Sequence, residues 1–318
     1  MRKLTWAAAA MVAATFAFAG IADAETRVTY KSAKSTSSYY QMAVQLAEAI
    51  KQGSGGDIIL TVEESQGSVQ NVKEAAIRTG NYVFTTPPAL VKLAQSGQKM
   101  FEPKDDKFDE IRGLFPIPSL TMHFVVRKDA GIDSFSDLEG KTFLIGKGSF
   151  GADEAEKYLK LFGLEGKVNL AEVELNAAVS ALKNRQIDGF ATAGSYPAPN
   201  VLEAAATTEI DLLSLSDEQI AETKRDKLVI PGGTYAGVDE DVSTTTLPVM
   251  AYTTTNMDDA TAYALTKTYW ESKSEMGEAA KWWNGVTPDD LTHMVGKLHP
   301  GALKYYDERG IQVPDGLR

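Results

Sequence analysis

The chain has 318 residues, with 32 Lys and Arg against 43 Asp and Glu, a net charge of −11, and no cysteine. An acidic surface of this kind repels nucleic acid and anionic lipid, which excludes both as partners. The lack of thiols excludes a lipid-modified cysteine anchor, a disulfide framework and a thiolate metal site.

Arg2 and Lys3 open the sequence and are followed by a charge-free, mainly apolar run over residues 4–19. Ala22-Asp23-Ala24 then reads as a small-x-small cleavage site. This is the three-part pattern of a secretory signal peptide over residues 1–24, and it predicts a mature chain that begins near Glu25 in the periplasm. The apolar run is shorter than the roughly 20 residues of a spanning helix. No later stretch is apolar enough to insert into a membrane, so the mature chain is expected to be soluble. Losing Arg2, Lys3 and Asp23 with the leader takes the net charge to −12. About 290 mature residues exceed one comfortable core and predict two lobes.

The mature chain opens on a short strand, Thr26-Arg27-Val28-Thr29-Tyr30, and a polar turn over residues 31–38. Met42, Val44, Leu46, Ala49 and Ile50 then recur at helical spacing and predict a helix over 39–51, ended by Gly53-Ser54-Gly55-Gly56. A strand over 58–62, the turn Gln66-Gly67-Ser68, a helix over 69–79 and a strand over 82–84 continue the alternation. Thr85-Thr86-Pro87-Pro88 ends that strand, the prolines stopping it and shaping a rim. After a β-rich run at 120–127 the pattern restarts with a strand over 142–145 and the turn Gly146-Lys147-Gly148-Ser149-Phe150-Gly151. A helix over 152–162, a strand over 168–173, a helix over 177–184 and a strand over 187–192 follow, running into Gly194-Ser195-Tyr196-Pro197. A second β-rich run at 247–254 precedes a helical tail over 258–283.

Strand, turn and helix repeated in this way predict an α/β fold, each lobe a mainly parallel sheet with flanking helices. Lobe one is expected at 25–121 plus 253–318 and lobe two at 122–252, with crossings near 120–127 and 247–254.

His123, His293 and His299 show no HxxxH or HExxH spacing, and the sequence has no GxSxG elbow. Gly146 to Gly151 is GxGxxG by letter, and Glu172 and Glu174 lie near the distance at which a dinucleotide fold places its acidic residue. The stronger expectation comes from the polar turns. In an open parallel sheet, ligands sit beyond the carboxyl ends of the strands, where helix N-termini offer free N–H groups and partial positive charge. Five turns lie in that position. Ordinary N-capping explains any one of them; five across two like units point to one cleft.

Ser35-Thr36-Ser37-Ser38-Tyr39-Tyr40, Gln66-Gly67-Ser68-Val69-Gln70-Asn71, His123-Phe124-Val125-Val126-Arg127-Lys128-Asp129 and Asp137-Leu138-Glu139-Gly140-Lys141 resemble the first half of the TAXI family, the solute receptors of certain TRAP transporters. Pro231-Gly232-Gly233-Thr234-Tyr235-Ala236-Gly237-Val238-Asp239-Glu240-Asp241-Val242 and Leu298-His299-Pro300-Gly301-Ala302 resemble its second half. The resemblance implies a two-lobed periplasmic receptor of the type II-like, Venus flytrap fold. Such a receptor is not an enzyme, uses no cofactor, closes as a monomer on glutamate or a related dicarboxylate, and docks on a TRAP membrane permease.

The chain departs from the family's glycine-rich first turn by replacing its glycines and adding Lys34, and it carries Lys147 where small residues are common. The expected ligand-binding residues are Lys34, Ser35, Thr36, Ser38, Tyr39, Gln66, Ser68, Asn71, Thr85, Thr86, Lys147, Gly148, Ser149, Phe150, Ser195 and Tyr196. Asp239-Glu240-Asp241 reads as a solvated or structural run rather than a metal loop, and Trp282-Trp283 as packing on the tail. The alternative reading is an exported enzyme that holds a nucleotide at the turn 146–151.

Overall fold

The structure is a computed structural model and describes residues 25–318; the expected leader, residues 1–24, lies outside the described residues. Strands β1 (Thr26–Lys31), β2 (Ile58–Glu63) and β3 (Tyr82–Thr86) alternate with helices α1 (Ser38–Gly53), α2 (Ser68–Ala75) and α3 (Pro88–Gln95). The long strand β4 (Ile111–Arg127) leads to β5 (Thr142–Leu144), α4 (Phe150–Leu161), β6 (Asn169–Ala171), α5 (Ala178–Lys183), β7 (Gly189–Gly194) and α6 (Pro199–Thr207). Then come β8 (Ile210–Leu212), α7 (Asp217–Thr223), β9 (Asp226–Ile230) and the second long strand, β10 (Val242–Thr254). The tail holds α8 (Asp259–Glu271), α9 (Lys273–Ala279), β11 (Lys297–Leu298) and α10 (Pro300–Glu308).

The strands form one mixed sheet with the path β2-β1-β3-β10-β4-β7-β5-β6. β1 lies parallel to both β2 and β3, and β5 lies parallel to both β6 and β7. β10 runs antiparallel to β3, and β4 runs antiparallel to β7. The two units therefore repeat one topology, three parallel strands flanked by one long antiparallel strand, without repeating a sequence. The first unit takes its long strand, β10, from a distant segment of the chain, whereas β4 directly precedes β5, and β4 and β10 pair with each other along the join.

β4 begins well before the run expected at 120–127. Pro116 and Pro118 sit inside it, and proline interrupts a ladder. The register shows how they are accommodated: Leu247 pairs with Leu120 but Val249 pairs with Ile117, so β4 carries one extra residue between them. This bulge falls at Pro118 and Ser119, opposite Pro248, at the middle of the join.

The tail completes the first unit. α8 packs against α1 and α10. The Tyr269 hydroxyl donates to the Pro116 carbonyl at 2.7 Å, and the Tyr306 hydroxyl donates to the Leu114 carbonyl at 2.8 Å. Trp282 and Trp283 both donate their indole N–H to the half-buried Gln45 Oε1 on α1, at 3.1 and 2.8 Å, and the pair packs as expected. Among the described residues no helix is long and apolar enough to cross a membrane.

Candidate functional site

Between the two units lies a cavity of about 70 Å³. One water needs roughly 10–15 Å³ on this measure, so the space suits a solute of a few heavy atoms. Its floor is apolar, made by Leu120 and Val249 in the middle of β4 and β10, Ala191 and Ala193 of β7, and Ile145 just past β5. Its walls are the starts of three helices, one for each of the turns around Ser37, Ser68 and Ser149.

Ser37 caps α1, its hydroxyl accepting the Tyr40 N–H at 3.2 Å. Ser149 caps α4, accepting the Ala152 N–H at 3.1 Å. Gly67 caps α2 at φ 111°, a backbone conformation that glycine adopts and side-chain-bearing residues avoid. Ser37 and Ser149 each take up one donor, whereas Gly67 offers no side-chain cap, and in all three the leading N–H groups of the turn are left without an intrahelical acceptor. Three positive helix ends aimed at one small cavity make it a site for negative charge. Tyr39 stands beside them, 7% exposed, its hydroxyl donating to the Pro118 carbonyl at the bulge, 3.0 Å away.

Of the expected site residues, the structure brings Lys34, Tyr39, Gln66, Ser68, Thr85, Lys147, Ser149 and Phe150 to the cavity wall. Ser35, Thr36, Ser38, Asn71, Thr86, Gly148, Ser195 and Tyr196 do not line it. Ser35 turns onto Glu64, which accepts both its N–H and its hydroxyl. Asn71 is fully buried, and its amide donates to the carbonyls of Ser32 at 2.7 Å and Thr85 at 2.9 Å, with a longer contact to Lys31 at 3.4 Å. It ties the first turn to β3 from beneath. Thr36 and Thr86 bury their hydroxyls beneath the surface. Ser38 and Ser195 bond to each other across the units, and Ser195 also donates its hydroxyl to the Ser119 carbonyl at 2.6 Å. Gly148 belongs to a turn whose neighbours reach the cavity, whereas no residue of the turn 194–197 lines it.

The two lysines differ. Lys34 is 20% exposed, and its ammonium lies 3.0 Å from Glu174 of the opposite unit. That ammonium holds the Glu174 carboxyl below its usual pKa. Lys147 reaches the cavity with its stem, but its ammonium pairs with Glu172 at the surface, where both side chains are more than half exposed. Glu174 itself lines the cavity and was weighed in the sequence only as a nucleotide acid. Both acids of that alternative are thus occupied by lysines. Ser37 lies in the predicted first turn, and its cap signal is legible there. Thr192, which accepts from Asn200 at 3.0 Å, carried no signal at all.

The distinctive sequence segments lie elsewhere. The Tyr235 hydroxyl accepts the Ala198 N–H at 2.7 Å and donates to His123 Nε2 at 2.9 Å, while His123 Nδ1–H donates to the Thr121 carbonyl at 3.1 Å. Asp241 accepts the Gly232 N–H at 2.9 Å, a structural role of the kind expected for the acidic run. Among the described residues no acidic or histidine cluster could hold a metal. His299 caps α10, accepting the Gly301 N–H, and holds the Met257 carbonyl at 3.0 Å.

The model of the NMT1-like family matches residues 31–310. In structure the chain is similar to the periplasmic binding protein BugD, with a TM-score of 0.59 at 11% identity over 92% of this chain and 100% of that one. It is also similar to MatC from Rhodopseudomonas palustris with bound malate, with a TM-score of 0.56 at 11% identity over 90% of this chain and 96% of that one. At these identities the likeness is one of fold: the α/β architecture expected from the sequence is that of the periplasmic binding proteins.

Proposed function

The chain belongs to the NMT1-like family, and from that premise we propose that it is an extracytoplasmic solute receptor of the TAXI type, working in the periplasm with a TRAP-type membrane permease. It captures a small organic anion, glutamate- or dicarboxylate-like, between its two lobes as a monomer and without catalysis. The observation that carries this reading is the convergence of three helix N-termini on one small cavity between the units.

The chemistry follows from that arrangement. A carboxylate placed there accepts from leading N–H groups of α1, α2 and α4, with Lys34 supplying the one full positive charge near its wall that is mostly shielded from water. The apolar floor accommodates a short carbon chain. Lobe one consists of 25–121 plus 253–318 and lobe two of 122–252, and they rotate about the β4–β10 join, where the bulge and three prolines loosen the ladder. MatC binds malate on the same fold, which supports a small acid as the solute. A nucleotide held in the dinucleotide manner would meet Glu172 and Glu174 already paired with lysines.

The test is a thermal-shift screen of the mature protein against organic acids, amino acids and nucleotides, since a solute bound only by the folded state raises the melting temperature. A rise with one or a few small carboxylates is the expected result. A response confined to cationic or neutral solutes, or to nucleotides, overturns the reading.

A further inference from the structure

Two residues of the first unit converge on one carboxylate of the second. Glu174 Oε2 lies 3.0 Å from the Lys34 ammonium, and Glu174 Oε1 accepts from the Gln66 amide at 3.2 Å. Both oxygens of one side chain are therefore engaged across the cleft, at its lip. A second cross-lobe contact, from the Ser195 N–H to Ser38 Oγ, lies deep beside the β4 bulge, where rotation moves atoms least. A contact at the lip has the longer lever arm.

We propose that Glu174 is a positioning residue that latches the two lobes together before solute arrives, and that an incoming carboxylate opens the latch by taking Lys34 from it. The idea rests on the receptor reading for the meaning of closure and extends it to how closure is controlled. Glu174 is about half exposed, so its pairing is a modest and salt-sensitive bond. Modest is enough: an exposed ion pair shifts an equilibrium by up to about fivefold, and two-lobed proteins hold their states within such margins. The latch also gives the site a filter. A solute too weakly anionic to displace Glu174 leaves Lys34 where it is, whereas one that takes Lys34 frees Glu174 and Gln66.

The test needs no solute. The chain has no cysteine, so Gln52→Cys on α1 and Glu156→Cys on α4 carry spin labels alone on the full mature protein. Inter-label distances are measured at low salt and at 1 M salt, for the parent and for Glu174→Gln, Lys34→Glu and the charge swap Lys34→Glu with Glu174→Lys. The expected result is a short distance at low salt that lengthens in 1 M salt, in Glu174→Gln and, most of all, in Lys34→Glu, and that returns in the swap. Circular dichroism confirms that each variant is folded, and the salt series on the parent stands if one is not. A distribution unmoved by salt and by Lys34→Glu overturns the latch, as does a swap that fails to restore the short distance. In a protein that binds no small acid, a salt-sensitive pairing of the lobes would still stand, while its release by a carboxylate would fall together with the receptor reading.

Discussion

Ser38 at the start of α1 accepts the Ser195 N–H from the opposite unit at 2.9 Å, and Gly194 lies so close that a Cβ there would come within 2.5 Å of the same Ser38 oxygen. The walls of the cleft meet here with no room for a methyl group. Gly194→Ala is expected to destabilise the protein by about 1–3 kcal/mol through overpacking. Removing the obstructing oxygen relieves the clash, because the added Cβ then faces Ser38 Cβ at an ordinary 3.7 Å. Urea denaturation of Gly194→Ala, Ser38→Ala and the double variant checks this. The double variant should be more stable than the sum of the singles predicts; additive losses refute the contact.

Asn71 donates to two close backbone carbonyls and approaches a third without reaching solvent. Asn71→Ala strands those buried acceptors and is expected to cost about 2–4 kcal/mol, at roughly 1 or more per lost bond. Asn71→Asp, which keeps the shape and removes the donor, should cost at least as much. Equilibrium unfolding measures both. A loss of solute binding with unchanged stability would instead make Asn71 a ligand contact.

His123 is buried between Thr121 and Tyr235, and burial lowers its pKa to about 4. The unfolded chain takes up this proton near pH 6.5 and the folded one only near pH 4, so the folded state loses stability as the pH falls between those values. At pH 7 and above the group is neutral in both states and contributes no pH dependence. The full loss is about 3 kcal/mol, reached near pH 4. Unfolding free energies of the parent and of His123→Asn at pH 7 and pH 4.5 test it: the variant should fall less steeply. Equal slopes would show that His123 is protonated in the fold.

Once the screen supplies a solute, calorimetry on Lys34→Ala and Lys147→Ala separates the two lysines. Lys34, mostly shielded at the cavity wall, is expected to cost tenfold or more in affinity, about 1.4 kcal/mol. Lys147, whose charge pairs with Glu172 in solvent, should change affinity by less than about fivefold. The reverse order would relocate the anion to the second unit's turn.

The strand–turn–helix rhythm was legible because burial imposes it on every segment: Met42, Leu46 and Ile50 had to recur as they do for α1 to cover β1 and β2. Proline misled in both directions. Pro116 and Pro118 masked the first half of β4. Pro88, which read as a strand stop, opens a helix at its first position, as Pro199 and Pro300 do, where the missing N–H costs nothing. In the site, the hydroxyl-rich turns announced themselves, but Ser38, Asn71 and Ser195 look the same in sequence whether they face solute or hold the walls. Glu174 read only as a nucleotide acid, and its contact across the cleft could not be read, since its partners Lys34 and Gln66 lie more than a hundred residues away.

The exchange of long strands between the units also sets an order of assembly. The second unit draws β4 to β9 from one contiguous stretch of chain. The first begins at Thr26 yet needs β10 to flank β3, and α8 and α10 to cover α1 and the carbonyls of β4. Its core cannot close until almost the last residue has been delivered. The segment made first is therefore the last to fold, reversing the usual precedence of N-terminal structure. Its non-local pairings make that step slow as well. A fragment that stops short of Val242 should hold structure in its middle and leave Met42, Leu46 and Ile50 uncovered.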